Sequence, residues 1–220
     1  MSLTNREIAQ MMDLSCVQAF NTLDEIRDAA ATAMKHDCIC VFALPAHIPY
    51  LVDLLKERKD ILIGGTVGFP DGAATTAGKV HEALELIEMG VNELDMVINI
   101  GWLKAGEYDL FANDIKQVIK AADGMPVKVI LECHYLTREE IVKACEIAVE
   151  CGASFVKTGT GWAPSGATVE NIKLMSDTVG DSCKVKAAGG VRDKETLLAM
   201  HASGAVRFGV GARTALAILN

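Results

Sequence analysis

The stretch that decides the fold reads Ala-Ser-Phe-Val-Lys-Thr-Gly-Thr-Gly at residues 153–161. A short apolar run between small residues is typical of a buried strand, and this one ends in Lys157 before a threonine and glycine loop. Burial disfavours the ammonium form, so a lysine at the mouth of an apolar strand needs a partner or a lowered pKa. The pattern predicts a strand whose last residue belongs to a functional site.

A second strand repeats this arrangement further along the chain. Residues 183–190 read Cys-Lys-Val-Lys-Ala-Ala-Gly-Gly and place Lys186 before a glycine loop. A lysine becomes nucleophilic when desolvation or a nearby cation lowers its pKa. The two strand ends therefore predict one site, with Lys157 as a nucleophilic amine and Lys186 as its cationic neighbour. Buried lysines also serve in structural ion pairs, which remains the alternative.

Strand-like and helix-like segments alternate along the whole chain. Besides the two lysine strands, strands are predicted near residues 11–15, 38–42, 61–67, 93–99, 127–132 and 205–208, with helices near 23–35, 45–55, 76–89, 108–122, 137–151, 169–178 and 193–201 and at the end of the chain. Such alternation requires parallel strands joined by crossovers, and eight units close into a (β/α)8 barrel. A doubly wound open sheet is the alternative. Because no linker or composition shift divides the chain, we expect one α/β barrel domain over residues 1–220.

Composition and charge exclude several classes of protein. The chain is 50% hydrophobic and 23% charged with a net charge of −8, which indicates a globular protein and argues against a nucleic-acid partner. No apolar run approaches the roughly 20 residues of a membrane helix. Seven cysteines in apolar runs, without a secretory signal, predict a reduced cytoplasmic protein. The spacing His36-x-Cys38-x-Cys40 lacks a second ligand cluster, so we expect no metal site.

Residues at the carboxyl ends of barrel strands converge on the active site. Asp95 is the candidate for moving protons to and from a carbinolamine or enamine. Lys128 and Glu132 share a strand face and are interpreted chiefly as a structural pair, whereas Cys40 is interpreted as a buried strand cysteine. The strand-end candidates are Asp13, Cys40, Asp95, Lys128, Lys157 and Lys186.

Glycines follow the last two strands. Backbone N–H groups at Gly189, Gly190, Gly209 and Gly211, at the start of a helix, suit a phosphate group. The pair Gly209-x-Gly211 lacks the third glycine and the downstream acid of a dinucleotide-binding fold. A small anionic ligand is therefore the better interpretation of these loops.

Taken together, these residues resemble the deoxyribose-phosphate aldolase family, whose members are class I aldolases on a (β/α)8 barrel. The resemblance covers nearly the whole chain. Its motifs are Met12-Asp13-Leu14-Ser15, Gly68-Phe69-Pro70-x-Gly72, Glu93-Leu94-Asp95-Met96-Val97-Ile98-Asn99-Ile100-Gly101, Leu103-Lys104-x-Gly106, Val127-Lys128-Val129-Ile130-Leu131-Glu132, Phe155-Val156-Lys157-Thr158-x-Thr160-Gly161, Gly166-Ala167-Thr168 and Val185-Lys186-Ala187-x-Gly189-Gly190-Val191-Arg192.

The resemblance implies reversible cleavage of 2-deoxyribose 5-phosphate to acetaldehyde and glyceraldehyde 3-phosphate, with no metal or organic cofactor. Lys157 would form the Schiff base, Lys186 would lower its pKa, and Asp95 would relay protons, assisted by water and by Ser15, Lys128 or Thr160. The residues expected to bind the substrate and its phosphate are Gly161, Gly189, Gly190, Gly209, Gly211 and Arg213. Family analogy also predicts a homodimer.

The chain departs from the family pattern at two places. Gly159 stands where the family commonly has serine, and Gly211 stands where a phosphate-binding serine is usual. Arg213 could compensate through a bidentate phosphate contact. The alternatives are a Schiff-base aldolase for another sugar, phosphorylated or not, and a non-catalytic barrel that binds sugar phosphates.

Overall fold

A computed structural model describes residues 3–220 and confirms the predicted (β/α)8 barrel. Eight parallel strands close on themselves in chain order, with the last strand paired to the first. The strands are β1 (Met12–Cys16), β2 (Cys40–Ala43), β3 (Leu62–Val67), β4 (Glu93–Val97), β5 (Val127–Ile130), β6 (Phe155–Lys157), β7 (Lys184–Ala188) and β8 (Ala205–Val210).

Helices surround the barrel, one before β1 and the others after the strands. They are α1 (Asn5–Ala9), α2 (Leu23–His36), α3 (Ile48–Leu55), α4 (Thr76–Glu88), α5 (Ile100–Ala105), α6 (Tyr108–Ala121), α7 (Arg138–Glu150), α8 (Val169–Val179), α9 (Lys194–Ala202) and α10 (Ala212–Leu219). Capping boxes at Thr22 and Thr137 fix the starts of α2 and α7. Within residues 3–220, each helix is too short or too polar to cross a bilayer.

Strand alternation divides the buried residues into two environments. Outward-facing residues such as Leu14, Met96 and Val156 pack with the helices in one large hydrophobic core. The interior of the barrel is different, because charged side chains on several strands are buried there. They are Asp13, Glu93, Asp95, Lys128, Lys157, Lys186 and Arg207, each at most 7% exposed.

One aromatic ring lies at the centre of these charges. Phe42 of β2 is 1% exposed, and the Lys186 Nζ lies 4.0 Å and the Lys128 Nζ 4.8 Å from its ring centre. Contact with the ring face stabilises both cations where water is excluded. Gly64 of β3 leaves the space for the ring, because a Cβ built there would overlap it. Phe42 therefore forms an apolar floor beneath the lysines.

The strand register brings the predicted lysines together. Asp95 of β4 pairs with Lys128 of β5, while Lys157 of β6 pairs with Lys186 of β7. Because parallel neighbours at one level point to the same side, these four side chains all enter the barrel. Lys157, the last residue of β6, lies at the carboxyl end of its strand. The fold thus creates one cluster from residues separated by up to 91 positions in sequence.

Candidate active site

The candidate active site is centred on one carboxylate shared by two lysines. Asp95 Oδ2 accepts a hydrogen bond of 2.6 Å from Lys157 Nζ and one of 2.7 Å from Lys186 Nζ. The side chains of Asp95 and Lys186 are fully buried, whereas that of Lys157 is 6% exposed. The structure therefore brings the three predicted residues together, with Lys157 nearest to solvent.

Burial and charge separate the pKa values of the two lysines. Burial lowers the pKa of Lys157 to about 8; the Asp95 carboxylate acts in the opposite direction, and the Lys186 cation adds a smaller lowering effect. For Lys186, burial also disfavours the charge, but Asp13, Asp95 and Glu93 outweigh it and raise the pKa. Lys157 can therefore lose a proton near neutral pH while Lys186 stays charged.

The carboxylates are held ionised by the same cluster. Burial alone would raise the pKa of Asp95, but Lys157, Lys186 and Lys128 bring it well below the usual range. Asp13 is likewise buried, and its nearby cations lower its pKa despite desolvation. Asp95 is thus ionised and accepts hydrogen bonds in this state.

A second layer of ion pairs lies deeper in the barrel. Asp13 bonds Lys186 at 2.6 Å and Arg207 at 2.5 Å, and Arg207 also reaches Glu93 at 2.7 Å. Lys128 lies 2.5 Å from Glu93 and 3.3 Å from Asp95. The deep pairs hold the charged form of Lys186 and orient Asp95.

Glu132 does not pair with Lys128, so the predicted structural pair is wrong. The strand ends at Ile130, and Glu132 adopts φ 55°, which turns it out of the strand face. Its carboxylate instead accepts hydrogen bonds from the N–H and hydroxyl of Thr160. The Thr160 hydroxyl is therefore already engaged by Glu132 in this state.

Within residues 3–220, one buried group has three side chains with metal-ligand atoms within 4.8 Å of one another: Asp13, Cys40 and Glu93. Arg207 and Lys128 already neutralise the two carboxylates. Burial, and next the Glu93 charge, raises the pKa of the Cys40 thiol well above its usual value, so it stays protonated. This donor set fits an internal ion-pair cluster better than a cation site. His36 ends α2, outside the barrel.

A cavity of about 230 Å³ opens above Lys157. It is lined by Ser15, Thr160 and the five glycines predicted to bind the substrate and its phosphate. Lys128 lies below the cavity. Gly189 and Gly190 have φ of 73° and 99°, conformations that favour glycine. The N–H of Ala167 donates to the Gly189 carbonyl, so the loop after β6 closes over the loop after β7. The lining glycines are Gly161, Gly189, Gly190, Gly209 and Gly211.

Arg213 is the predicted phosphate-binding residue that does not line this cavity. It is exposed on α10 and lines a neighbouring groove with Glu25 and Asp28. Arg213 lies on the other side of Gly211 from the cavity, so it is not placed to make the phosphate contact expected of it.

Several site residues escaped the sequence analysis. Glu93 lies two residues before Asp95 on the same strand face, so strand alternation alone could have found it. Arg207 has no such signal, because its role depends on pairing with Asp13 where the last strand closes on the first. Trp162 also escaped: its indole N–H donates to the Val17 carbonyl at 2.8 Å and links two loops at the rim of the cavity.

Comparison with known proteins places this barrel among the aldolases. The model of the DeoC/LacD family of aldolases matches residues 7–219, and the chain belongs to that family. This confirms the resemblance drawn from the motifs.

Individual relatives agree with this assignment. Deoxyribose-phosphate aldolase of Klebsiella pneumoniae is 44% identical over 212 residues, covering 96% of this chain and 85% of the relative. A crystal structure from Coccidioides immitis superimposes with a TM-score of 0.94 at 34% identity, covering 100% of this chain and 87% of that one. The tetrameric deoxyribose phosphate aldolase of Aeropyrum pernix superimposes with a TM-score of 0.90 at 23% identity, covering 98% of this chain and 91% of that one. This similarity supports the fold.

Proposed function

We propose that this chain catalyses the reversible cleavage of 2-deoxyribose 5-phosphate to acetaldehyde and glyceraldehyde 3-phosphate, with Lys157 as the Schiff-base residue. The observation that carries the proposal is the lowered pKa of Lys157, about 8, in a buried cluster open to a cavity. An unprotonated amine is the form that attacks a carbonyl carbon. The relatives of this chain carry the name of the same activity.

The chemical steps use the amine of Lys157 and the carboxylate of Asp95. The Lys157 amine attacks the aldehyde carbon of the open-chain sugar, and loss of water from the carbinolamine gives an iminium ion. Asp95, acting through water, accepts the proton of the 3-hydroxyl, the bond between C2 and C3 breaks, and its electrons form an enamine. Protonation of the enamine at C2 and addition of water release acetaldehyde and restore the amine.

Lys186 acts on this sequence through charge. It remains an ammonium group, since Asp13 and Asp95 raise its pKa, and it donates to the same Asp95 oxygen as Lys157. When Lys157 becomes an iminium ion with no free ammonium, Lys186 keeps Asp95 in place. Lys128 supports Asp95 from below, and Ser15 and Thr160 line the space where the water and the hydroxyls would lie.

The phosphate would bind at the glycine loops after β7 and β8. Gly211 is the N-terminal cap of α10 and offers no side chain to the first turn, so the free N–H groups there are available to an anion. Gly161, Gly189, Gly190 and Gly209 shape the same wall. The scheme uses no metal or organic cofactor, and a homodimer remains our prediction for assembly.

Reductive trapping tests the proposal. Borohydride treatment with acetaldehyde present should reduce the imine and add an ethyl group to Lys157, located by peptide mass spectrometry. Lys157→Leu should abolish both the label and the cleavage of 2-deoxyribose 5-phosphate. A label on another lysine, or cleavage that survives in Lys157→Leu, would contradict the assignment.

A further inference from the structure

The cavity above Lys157 borders a second hollow. This second hollow, called here the side groove, has a volume of about 320 Å³ and shares Ser15 and Gly211 with the Lys157 cavity. Leu14 and Val210 are the last paired residues of β1 and β8, so Ser15 and Gly211 lie where the two strands separate. The side groove is lined by Ser15, Cys16, Phe20, Asn21, Glu25, Asp28, Gly211, Ala212, Arg213 and Thr214.

Neither the backbone nor the packing demands a glycine at 211. Its φ of −74° and ψ of 156° are extended values that any residue adopts. A Cβ built there would meet nothing within 4 Å. A serine would also cap α10, since serine is a preferred N-cap residue. The missing side chain therefore leaves an opening between the Lys157 cavity and the side groove.

The side groove offers both hydrogen-bond donors and hydrogen-bond acceptors beside one apolar surface. Glu25 and Asp28 present carboxylates, Arg213 presents a guanidinium group, and Phe20 is 76% exposed at the edge. Hydrogen bonds from the Thr22 N–H and the Asn21 amide hold the pKa of Glu25 below its usual value, so it stays ionised. Both hydrogen bonds are accepted by Oε2 of Glu25. Oε1 accepts none from the described residues and is available to a ligand.

These groups select the class of ligand. Two carboxylates against one guanidinium make the side groove net negative, which disfavours a phosphate dianion. Hydroxyl groups can donate to the carboxylates and accept from Arg213, while the carbon chain lies against Phe20. The contents of the side groove thus match an uncharged polyhydroxylated chain.

We propose that the side groove is an extension of the aldolase site that receives the tail of uncharged hydroxyaldehydes with more than three carbons. This inference rests on the proposed function, because the aldehyde carbon must still reach the enamine on Lys157. The enamine forms a carbon–carbon bond from C2 of acetaldehyde to that carbon, the π bond of the aldehyde C=O breaks, and its oxygen takes a proton from the water beside Asp95. Addition of water to the resulting iminium ion releases the product and restores the Lys157 amine. The rest of the acceptor passes Gly211 into the side groove.

A comparison of two uncharged acceptors tests the extension without involving phosphate. The measured quantity is the ratio of kcat/KM for D-erythrose to that for D-glyceraldehyde in acetaldehyde addition. In the wild type, both acceptors should react. Gly211→Ser should lower the ratio about tenfold because its side chain narrows the opening, and Asp28→Leu should lower it by several-fold because one acceptor group is lost.

Tyr108→Ala supplies the matched control, since it truncates an exposed aromatic side chain on α6, away from the side groove. It should keep the wild-type ratio. Circular dichroism and Tm establish that each variant is folded. An unchanged ratio in Gly211→Ser, or no reaction of the wild type with D-erythrose, would overturn the extension. Absence of the acetaldehyde label on Lys157 would instead overturn the proposed function, so the two failures are distinguishable.

Discussion

At the scale of single residues, the charge of Lys186 has a measurable effect on its neighbour. Its cation helps to lower the pKa of Lys157, although burial is the larger cause. Lys186→Met should therefore raise that pKa, because Asp95 then acts on Lys157 without the opposing cation. The acidic limb of the pH profile of kcat/KM, which lies near pH 8 if Lys157 must be unprotonated, should move to higher pH.

Lys186→Arg is the control for this prediction, since it keeps the positive charge. Its acidic limb should stay closer to that of the wild type than the limb of Lys186→Met. We also expect a loss of about a hundredfold in kcat for Lys186→Met, the size typical of a lost electrostatic contact in an active site. A limb that stays in place, or moves to lower pH, would show that Lys186 does not set the pKa of Lys157.

Gly159 makes a second prediction at this scale. A Cβ at this position would lie 2.6 Å from Glu132 Oε1, and Glu132 holds both the N–H and the hydroxyl of Thr160. Gly159→Ala should therefore lower the free energy of unfolding by about 1–3 kcal/mol, the usual cost of overpacking. Urea unfolding measures the change. Gly211→Ala, where the same Cβ meets open space, should cost far less; equal losses would rule out the proposed overlap.

At the scale of secondary structure elements, the sequence predicted the eight strands because each is a short and largely apolar run, most of them ending at glycine or a polar residue. It missed α1 and α5, which have only five and six residues and too few turns for a periodic pattern. Asn99 was assigned to β4, but β4 ends at Val97 and the Asn99 side chain caps α5. Local pattern does not distinguish the end of a strand from the cap of the next helix.

The site was predictable to the extent that its residues lie at strand ends. Lys157, Lys186 and Asp95 could be brought together from strand count and parity alone. Their deeper partners could not, because a pair such as Asp13 with Arg207 spans 194 residues and depends on the closed register of the barrel. Arg213 shows that proximity in sequence can also mislead. It lies two residues after Gly211, but its side chain lines the side groove and not the Lys157 cavity.

An ion pair between two helices gives the prediction at the element scale. Lys79 of α4 is fully buried, donates to Asp114 of α6 at 2.6 Å and also donates to the Val97 carbonyl at the end of β4 at 2.9 Å. Removing one partner leaves a buried charge uncompensated, which typically costs about 3–5 kcal/mol. Lys79→Met should therefore lower the free energy of unfolding by about this amount in urea.

The double variant Lys79→Met with Asp114→Leu completes the test. Because it removes both charges and replaces them with apolar side chains, it should recover much of the stability that either single change loses. Lys173→Met, which breaks an exposed pair with Asp177, is the control and should cost less than about 1 kcal/mol. Additive losses in the double variant would show that the pair is not coupled.

At the scale of the whole molecule, the barrel interior should govern stability in acid. The folded state lowers the pKa values of Asp13 and Asp95, because buried cations outweigh desolvation. In the unfolded chain these carboxyls titrate near about pH 4, so below that pH the unfolded state binds more protons than the folded state. The stability that these two carboxylates contribute above a pH of about 4 should therefore be lost as the pH falls below that value.

Urea unfolding, carried out from about pH 7 to about pH 3 in steps of about one pH unit, measures this loss. Asp95→Asn should flatten the acidic decline, since it removes one of the two lowered carboxyls, even if its stability at neutral pH is smaller. Asp177→Asn is the matched control, because it makes the same change in an exposed pair. If Asp177→Asn flattens the decline as much as Asp95→Asn, the acid sensitivity belongs to the surface and not to the charged interior of the barrel.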